Sequence, residues 1–349
     1  MNNVEIGGHS IGPGAPCFIL AEAGVNHNGD VAMARELVRQ AQRAGASCVK
    51  FQTFKAERVV TASAPKAAYQ LKVTDPAESQ FAMLKKLELS DEAHRELIRL
   101  CRAEGIEFLS TPYSIEDAEM LHGLGVEGFK IASGQLVELP LLAAIARFGR
   151  PMILSTGMAT MGEVEEAVGA IRAAGNDRFV VLQCTTNYPS RVADANLRAM
   201  VSMRERTRAV VGYSDHTEGI AACLAAVALG AAVIEKHFTL DRTLPGPDHR
   251  CSSSPEEFRA LVQGIREVEA ALGDGGKRPT EAEVVNTVGM RRSIVARWAI
   301  PAGRRVTEAD FAFKRPATGM APKRLPELVQ RTARKDIEAD AQVWPEDFQ

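Results

Sequence analysis

Residues 233–250 read VIEKHFTLDRTLPGPDHR: an apolar strand that ends in a glutamate, a lysine and a histidine, followed by a turn rich in proline and glycine. Strands that are apolar throughout belong to parallel sheets covered on both faces, and polar groups at their carboxyl ends mark the rim where such sheets do chemistry. Earlier apolar runs repeat the pattern: CFILAEAG from Cys17, SCVKFQTF from Ser47, EFLSTP from Glu107, GFKIAS from Gly128, PMILSTG from Pro151, FVVLQCTT from Phe179 and AVVGYSDHT from Ala209. Amphipathic stretches separate them. After the first run, Asp30 opens a helical face of Val31, Ala34, Leu37, Val38 and Ala41 that Gly45 closes. Thr160 with Glu163, and Ser254 with Glu257, read as capping boxes. Eight β/α units over about 250 residues predict a TIM (β/α)8 barrel, although a doubly wound sheet can be written from the same pattern.

Two segments lie outside the repeat. VEIGGHSIG at the start predicts a hairpin that closes the barrel bottom, and 55–89 is far longer than an ordinary strand-to-helix connection, which marks it as a lid or binding loop. GDGGKRPTEAE then breaks the pattern. The domain organisation expected is a barrel with its hairpin over 1–272, a linker over 273–283 and a small β-rich domain over 284–349, with no long helix in the tail.

Composition excludes several function classes. With 42 Lys+Arg against 44 Asp+Glu, the chain carries no electrostatic footprint for nucleic acid or an anionic membrane. MNNVEIGGHS lacks the basic and apolar regions of a secretion signal, and the uncharged run 220–234 is too short to span a bilayer, so a cytoplasmic protein is expected. The six cysteines are scattered without a CxxC pair and read as reduced core residues.

Polar residues collect at the strand ends: Glu22, Lys50 and Gln52, Ser110 and Thr111, Lys130 and Ser133, Ser155 and Thr156, Thr186, Ser214 with Asp215 and His216, and Glu235 with His237. A barrel predicts that all of them face one cavity. Lys50 and Lys130 lie inside apolar runs, where an unpaired ammonium is expensive, so each requires an anion. Glu22 or Glu235 supplies one answer; a bound phosphate or carboxylate supplies the other. Of seven histidines, His9, His27, His94, His122 and His249 have quiet structural explanations. His216 and His237 end neighbouring strands at equivalent depth, so their imidazoles converge on one ion, and two imidazoles with oxygens suit six-coordinate Mn²⁺, Mg²⁺ or Co²⁺.

AEAGVNHNGD, VKFQTFKAE, FLSTP, FKIASGQ, ILSTGM, GYSDHT, IEKHFTLDRTLPGPDH and KRPATG together resemble, in order and over essentially the whole chain, the nonulosonate synthases, which include sialic acid and legionaminic acid synthases. The tail is similar to the antifreeze-like (SAF) domain of that family. The resemblance implies a metal-dependent condensation of phosphoenolpyruvate with an open-chain N-acetylmannosamine-type sugar, in a homodimer whose tails cover the partner's site. It implies a metal on His216 and His237, which join Glu22 and Gln135 as the catalytic set. Lys50, Lys130, Ser133, Ser155, Thr186 and Ser214 match phosphoenolpyruvate contacts; Gln52, Thr111, Tyr188, Asp248 and the partner tail's Arg315 match positions that handle the sugar or the attacking water. Two positions depart from the family pattern: Gln135 stands where sialic-type enzymes carry Glu, and Thr186 where some relatives carry Asn. CTTNYP and APKAAYQ look closer to the legionaminic branch, and PGPDH separates the chain from the pseudaminic one. Two other classes fit the barrel, a Schiff-base aldolase with Lys50 or Lys130 as nucleophile and a non-catalytic carbohydrate-binding barrel.

Overall fold

Side chains alternate across a strand, and here the inward positions change character along each strand. In the computed structural model, which describes residues 2–349 except Ala68, Tyr69, Val73 and the Lys72 side chain, β1 (Val4–Ile6) and β2 (His9–Ile11) pair as an antiparallel hairpin. Eight parallel strands follow: β3 (Phe18–Gly24), β4 (Cys48–Thr53), β5 (Glu107–Pro112), β6 (Phe129–Ile131), β7 (Met152–Ser155), β8 (Phe179–Cys184), β9 (Val210–Asp215) and β10 (Val233–His237). Their order, β5-β4-β3-β10-β9-β8-β7-β6, brings the last strand beside the first, as in a TIM barrel. β5 and β6 flank a seam without a ladder among the described strands. Gln135 stitches this seam, its Nε2 donating to the Pro112 carbonyl at 2.8 Å.

At the barrel bottom, Val4, Ile6 and Ile11 of the hairpin pack into the same cluster as Phe18, Leu20, Cys48, Ile153, Val180, Leu182 and Val233. Each such burial contributes about 1.5–3 kcal/mol, so the hairpin is a plug that keeps water from the lower interior. Higher on the same faces the apolar series gives way to Glu22, Lys50, Ser155, Glu235 and His237. The outward positions, such as Ile19, Ala21, Val49, Phe51, Leu154 and Val181, pack against helices in a second, larger cluster.

The helix signals hold where the sequence placed them. Asp30 caps Val31–Arg43, Thr160 and Glu163 form a reciprocal box on Met161–Ala173, and Ser254 and Glu257 do so on Pro255–Leu272. The long connection after β4 carries short helices at Ala56–Val59 and Gln80–Lys86, from which Met83 and Leu87 bury against Val25 and Phe54. The APKAAYQ stretch runs into Ala68 and Tyr69, outside the described residues.

The chain divides into two compact units, Met1–Gly273 and Asp274–Gln349. The tail unit packs Ile294, Ile300, Val306, Phe311, Leu328, Val343 and Phe348 around a two-stranded sheet, β11 (Ser293–Ala296) and β12 (Phe311–Lys314). One expectation is corrected here. Thr280 and Glu283 form a capping box that starts a short helix over Glu281–Met290, so the expected linker ends inside a helical turn. That helix buries none of its residues, which explains why no amphipathic periodicity announced it. Among the described residues, no helix is long and apolar enough to cross a membrane.

Candidate active site

At the carboxyl ends of the strands lies a cavity of about 230 Å³. Its wall includes Glu22, Lys50, Gln52, Lys130, Ser133, Ser155, Tyr188, Ser214, His216, Glu235, His237 and Asp248. Most of the expected groups therefore meet. On the floor, charges alternate: Lys50 Nζ lies 2.5 Å from Glu22 Oε2 and 3.6 Å from Glu235 Oε1, and Lys130 Nζ lies 3.2 Å from Glu235 Oε2. Lys130 also donates to Ser155 Oγ at 2.8 Å, and Gln52 Nε2 donates to Glu22 Oε1 at 3.2 Å. Carboxylates of Glu22 and Glu235 thus hold the buried lysines, while both ammoniums still line the cavity.

Electrostatics follow from that dry setting. Burial pulls Lys50 down to about 7, the Lys130 charge adds to this, and Glu235 opposes it. Glu235 is driven down to about 2, since the two ammoniums outweigh the burial that acts against its charge. Burial holds His237 well below the ordinary imidazole range, so its ring is neutral. Burial raises Asp248 to about 6, with His216 and Lys50 opposing.

The two histidine rings stand 5.2 Å apart, centroid to centroid, and Tyr188 packs 4.1 Å from His216 and 5.7 Å from His237. His216 Nδ1 donates to the Thr185 carbonyl at 2.7 Å, so Nδ1 carries a proton and Nε2 is the nitrogen left for an ion. His237 Nδ1 is buried without a hydrogen-bond partner. Among the described residues, no three His, Cys, Asp or Glu side chains converge as a complete metal cage. The pair fits an ion that takes two imidazole nitrogens and completes its shell with water and substrate oxygens.

Other expected site residues lie elsewhere. Thr111 is off the cavity wall but one contact from it, its hydroxyl accepting from Lys50 Nζ at 3.2 Å. Gln135 is turned into the barrel seam, off the cavity wall, its Oε1 accepting from the Ala132 amide at 3.2 Å and its Nε2 donating to the Pro112 carbonyl. Thr186 is off the cavity wall, its buried Oγ1 without a partner, over Gly157, where an added Cβ would lie 2.0 Å from it. Arg315 is exposed in the tail unit, its Nε donating to the Met290 carbonyl at 3.0 Å.

Three strand-end groups expected in the cavity point outward instead. Ser110 bonds Thr53, Thr156 donates to the Leu182 carbonyl, and Asp215 pairs with Lys236 at 2.6 Å behind the wall. Alternation explains each: Ser214 and Glu235 face in, so Asp215 and Lys236 face the helices. Sequence reasoning missed Cys184 and Tyr113, and the apolar roof of Phe54, Val59, Met83, Leu84 and Leu87. The helical spacing of Met83, Leu84 and Leu87 was the available signal for the roof.

Asp248 yields a stability test. Its folded-state value lies above the ordinary 3.8, so the native fold holds the proton more tightly than the unfolded chain. The resulting penalty is absent below 3.8, grows as pH rises to about 6 and is complete above it. Asp248→Asn, purified free of divalent cations, is expected to be more stable than wild type above about pH 6, by up to about 3 kcal/mol, with the gap closing below about pH 4. Thermal melting across pH checks this; a variant less stable at neutral pH would contradict it.

Comparison with known proteins decides the family. The NeuB family model matches residues 37–277 and the SAF domain model matches residues 291–349. The chain belongs to the NeuB family. It is 46% identical to an N,N'-diacetyllegionaminic acid synthase of Campylobacter jejuni over 93% of this chain and 97% of that one. It is 45% identical to a Legionella pneumophila protein of the same name over 91% and 90%. The crystal structure of a sialic acid synthetase from Leptospira borgpetersenii superposes with a TM-score of 0.73 at 34% identity, covering 82% of this chain and 95% of that one. The chain is thus an enzyme of the nonulosonate synthase family, as the motifs implied.

Proposed function

We propose that this NeuB-family enzyme condenses phosphoenolpyruvate with the open-chain form of an N-acylated amino hexose, giving a nine-carbon 2-keto acid and inorganic phosphate. The observation that carries this reading is the convergence of two cavity-facing lysines, strand-end hydroxyls, a histidine pair and Asp248 on one cavity. Its support from relatives is the identity to N,N'-diacetyllegionaminic acid synthases, and we take a diacetamido sugar as the preferred acceptor.

Lys50 and Lys130, with Ser133, Ser155 and Ser214, hold the carboxylate and phosphate of phosphoenolpyruvate by charge-assisted hydrogen bonds. C3 of phosphoenolpyruvate forms a bond to the aldehyde carbon, and the aldehyde oxygen takes a proton to become a hydroxyl. Water then adds at C2, and the bond from C2 to the phosphate oxygen breaks. Glu22, fixed by Gln52 and Lys50, presents a carboxylate at the cavity floor for the proton that this water loses. Tyr188 and Asp248 address the sugar from the opposite wall, Asp248 as acceptor for a hydroxyl.

Charge balance bears on the cofactor. Lys50 and Lys130 already meet Glu22 and Glu235, and Asp248 adds a further carboxyl group to the wall, so an anionic substrate enters a cavity whose lysine charge is already matched. A divalent ion on His216 and His237 restores the balance, and Mn²⁺ is our preferred candidate. When bound, such an ion supplies Lewis acidity to the aldehyde oxygen.

We further place the enzyme in the cytoplasm, since its cysteines are free, and as a homodimer in which Arg315 serves the partner's site. The exposed Val284, Val285 and Val288 of the tail helix support a protein surface against that helix. The ion pair of Lys130 with Glu235 disfavours that lysine as an imine-forming nucleophile, and borohydride trapping addresses Lys50, which burial pulls down to about 7.

Phosphate release from phosphoenolpyruvate, measured with N-acetylmannosamine, its 6-phosphate and a 2,4-diacetamido-trideoxy hexose, tests the reading. Release that depends on the sugar and is greatest with the diacetamido sugar is expected. Sugar-independent release or none, or borohydride-trapped adducts with a keto acid, would overturn it.

A further inference from the structure

AGVNHNGD and the stretch after β10 are the two longest motifs that the chemistry leaves mostly unused: from the first, Val25 reaches the cavity wall, while Asn26, His27 and Asn28 do not. Their polar groups instead interlock. Asn28 Nδ2 donates to the Pro245 carbonyl at 2.9 Å, which turns its Oδ1 towards His249 Nε2 at 3.3 Å. An amide oxygen only accepts, so Nε2 carries the ring proton. Burial holds His249 down at about 4, so the ring has one proton, and Nδ1 must accept. Its partner at 2.6 Å is the hydroxyl of Thr239, which therefore donates.

The result is a directed chain: Thr239 hydroxyl to His249 ring to Asn28 amide to Pro245 carbonyl. It joins the two ends of the 239–249 segment to its middle through a residue of another loop. Asn26 adds a second tie, donating to the Phe238 carbonyl at 2.9 Å and to Ser252 Oγ at 2.8 Å, while Ser252 donates to the Asp248 carbonyl at 2.6 Å. Thr239 and His249 are wholly buried. Gly246 shows how tightly the clamp fits: at φ +150°, a Cβ there would stand 2.7 Å from His249 Cδ2 and 2.8 Å from Asn28 Oδ1.

Of the 239–249 segment that this network holds, Pro247 and Asp248 reach the cavity wall, and Asp248 is the one that can bind a polar group. We infer that Thr239, His249 and Asn28 are positioning residues that aim Asp248 at the sugar. The inference rests on the proposed role of Asp248 in sugar binding. A buried hydrogen bond broken at one partner leaves an unsatisfied group, so the chain is sensitive at any link.

Thr239→Val keeps the shape and removes the donor; Thr239→Ser keeps the donor. The Val variant is expected to raise the sugar KM about tenfold or more, leave the phosphoenolpyruvate KM within about twofold, and speed amide hydrogen exchange across 240–249. The Ser variant is expected to behave as wild type. Asn28→Gly, which suits the left-handed backbone at Asn28 (φ 51°) and removes both of its side-chain hydrogen bonds, repeats the test should the Val variant fail to fold. Unchanged sugar KM, or equal rises in both KM values, would overturn the inference. Should the wild type condense no sugar, the proposed function falls, and exchange rates in the substrate-free protein then decide the clamp alone: faster exchange upholds it and unchanged exchange rejects it.

Discussion

His237→Ala is expected to lower phosphate release by more than about 100-fold while leaving the melting temperature within a few degrees of wild type. Outer partners of metal ligands are each worth about 10–100-fold in affinity or activity, and a ligand itself is worth more. The fold tolerates the change for a reason specific to this position. Burial keeps the imidazole neutral and its Nδ1 has no hydrogen-bond partner, so removing it strands neither a charge nor a donor. The contrast is Glu235, two residues earlier, whose removal would leave two buried ammoniums without the carboxylate they share. A Glu235 variant is thus a poor probe of chemistry, because lost activity and lost stability arrive together. Titration calorimetry with Mn²⁺ separates the causes for His237. Undiminished turnover in His237→Ala would sink the metal assignment, and wild-type Mn²⁺ affinity in that variant would remove His237 from the ligand set.

Much of the barrel was legible because its signals are local. Inward positions on β10 read Val233, Glu235 and His237, and a period of two with a change from apolar to charged is visible in one chain without a partner strand. The same rule, applied residue by residue, sorts Asp215 and Lys236 outward, but adjacency in sequence hides it: Ser214, Asp215 and His216 stand side by side, and two of the three face the cavity. What stayed hidden depends on contacts between distant segments. Gln135 looks like a rim residue, and nothing nearby announces that its amide would find the Pro112 carbonyl across an unpaired seam. Thr111 follows the same logic, its hydroxyl taken up by Lys50 from the next strand. The Glu281–Met290 helix was obscured for a different reason, since a helix that buries nothing has no apolar stripe to read.

Mixing two inactive proteins is expected to restore activity. Arg315 lies on the exposed end of β12's connection, its Nε held by the Met290 carbonyl at the end of the tail helix, and the proposed dimer sends it to the other subunit's sugar. Arg315→Ala alone is expected to be nearly inactive, because a guanidinium that binds two oxygens at once has no substitute among neutral side chains. His216→Ala is expected to be inactive for the reason given for His237. Pair them in one dimer, and the defects segregate. The barrel lacking His216 faces a tail lacking Arg315, so one site carries both lesions. The other barrel retains His216 and receives an intact Arg315, so that site carries neither. Random exchange of equal amounts makes half of all dimers mixed, each with one working site, so roughly one quarter of wild-type activity is expected to return. Subunit exchange, followed by native mass spectrometry on differently tagged chains, must accompany the rate measurement. Exchange without recovery would place Arg315 in its own subunit's site or outside catalysis altogether, since a residue acting within its own chain leaves every mixed dimer with two broken sites.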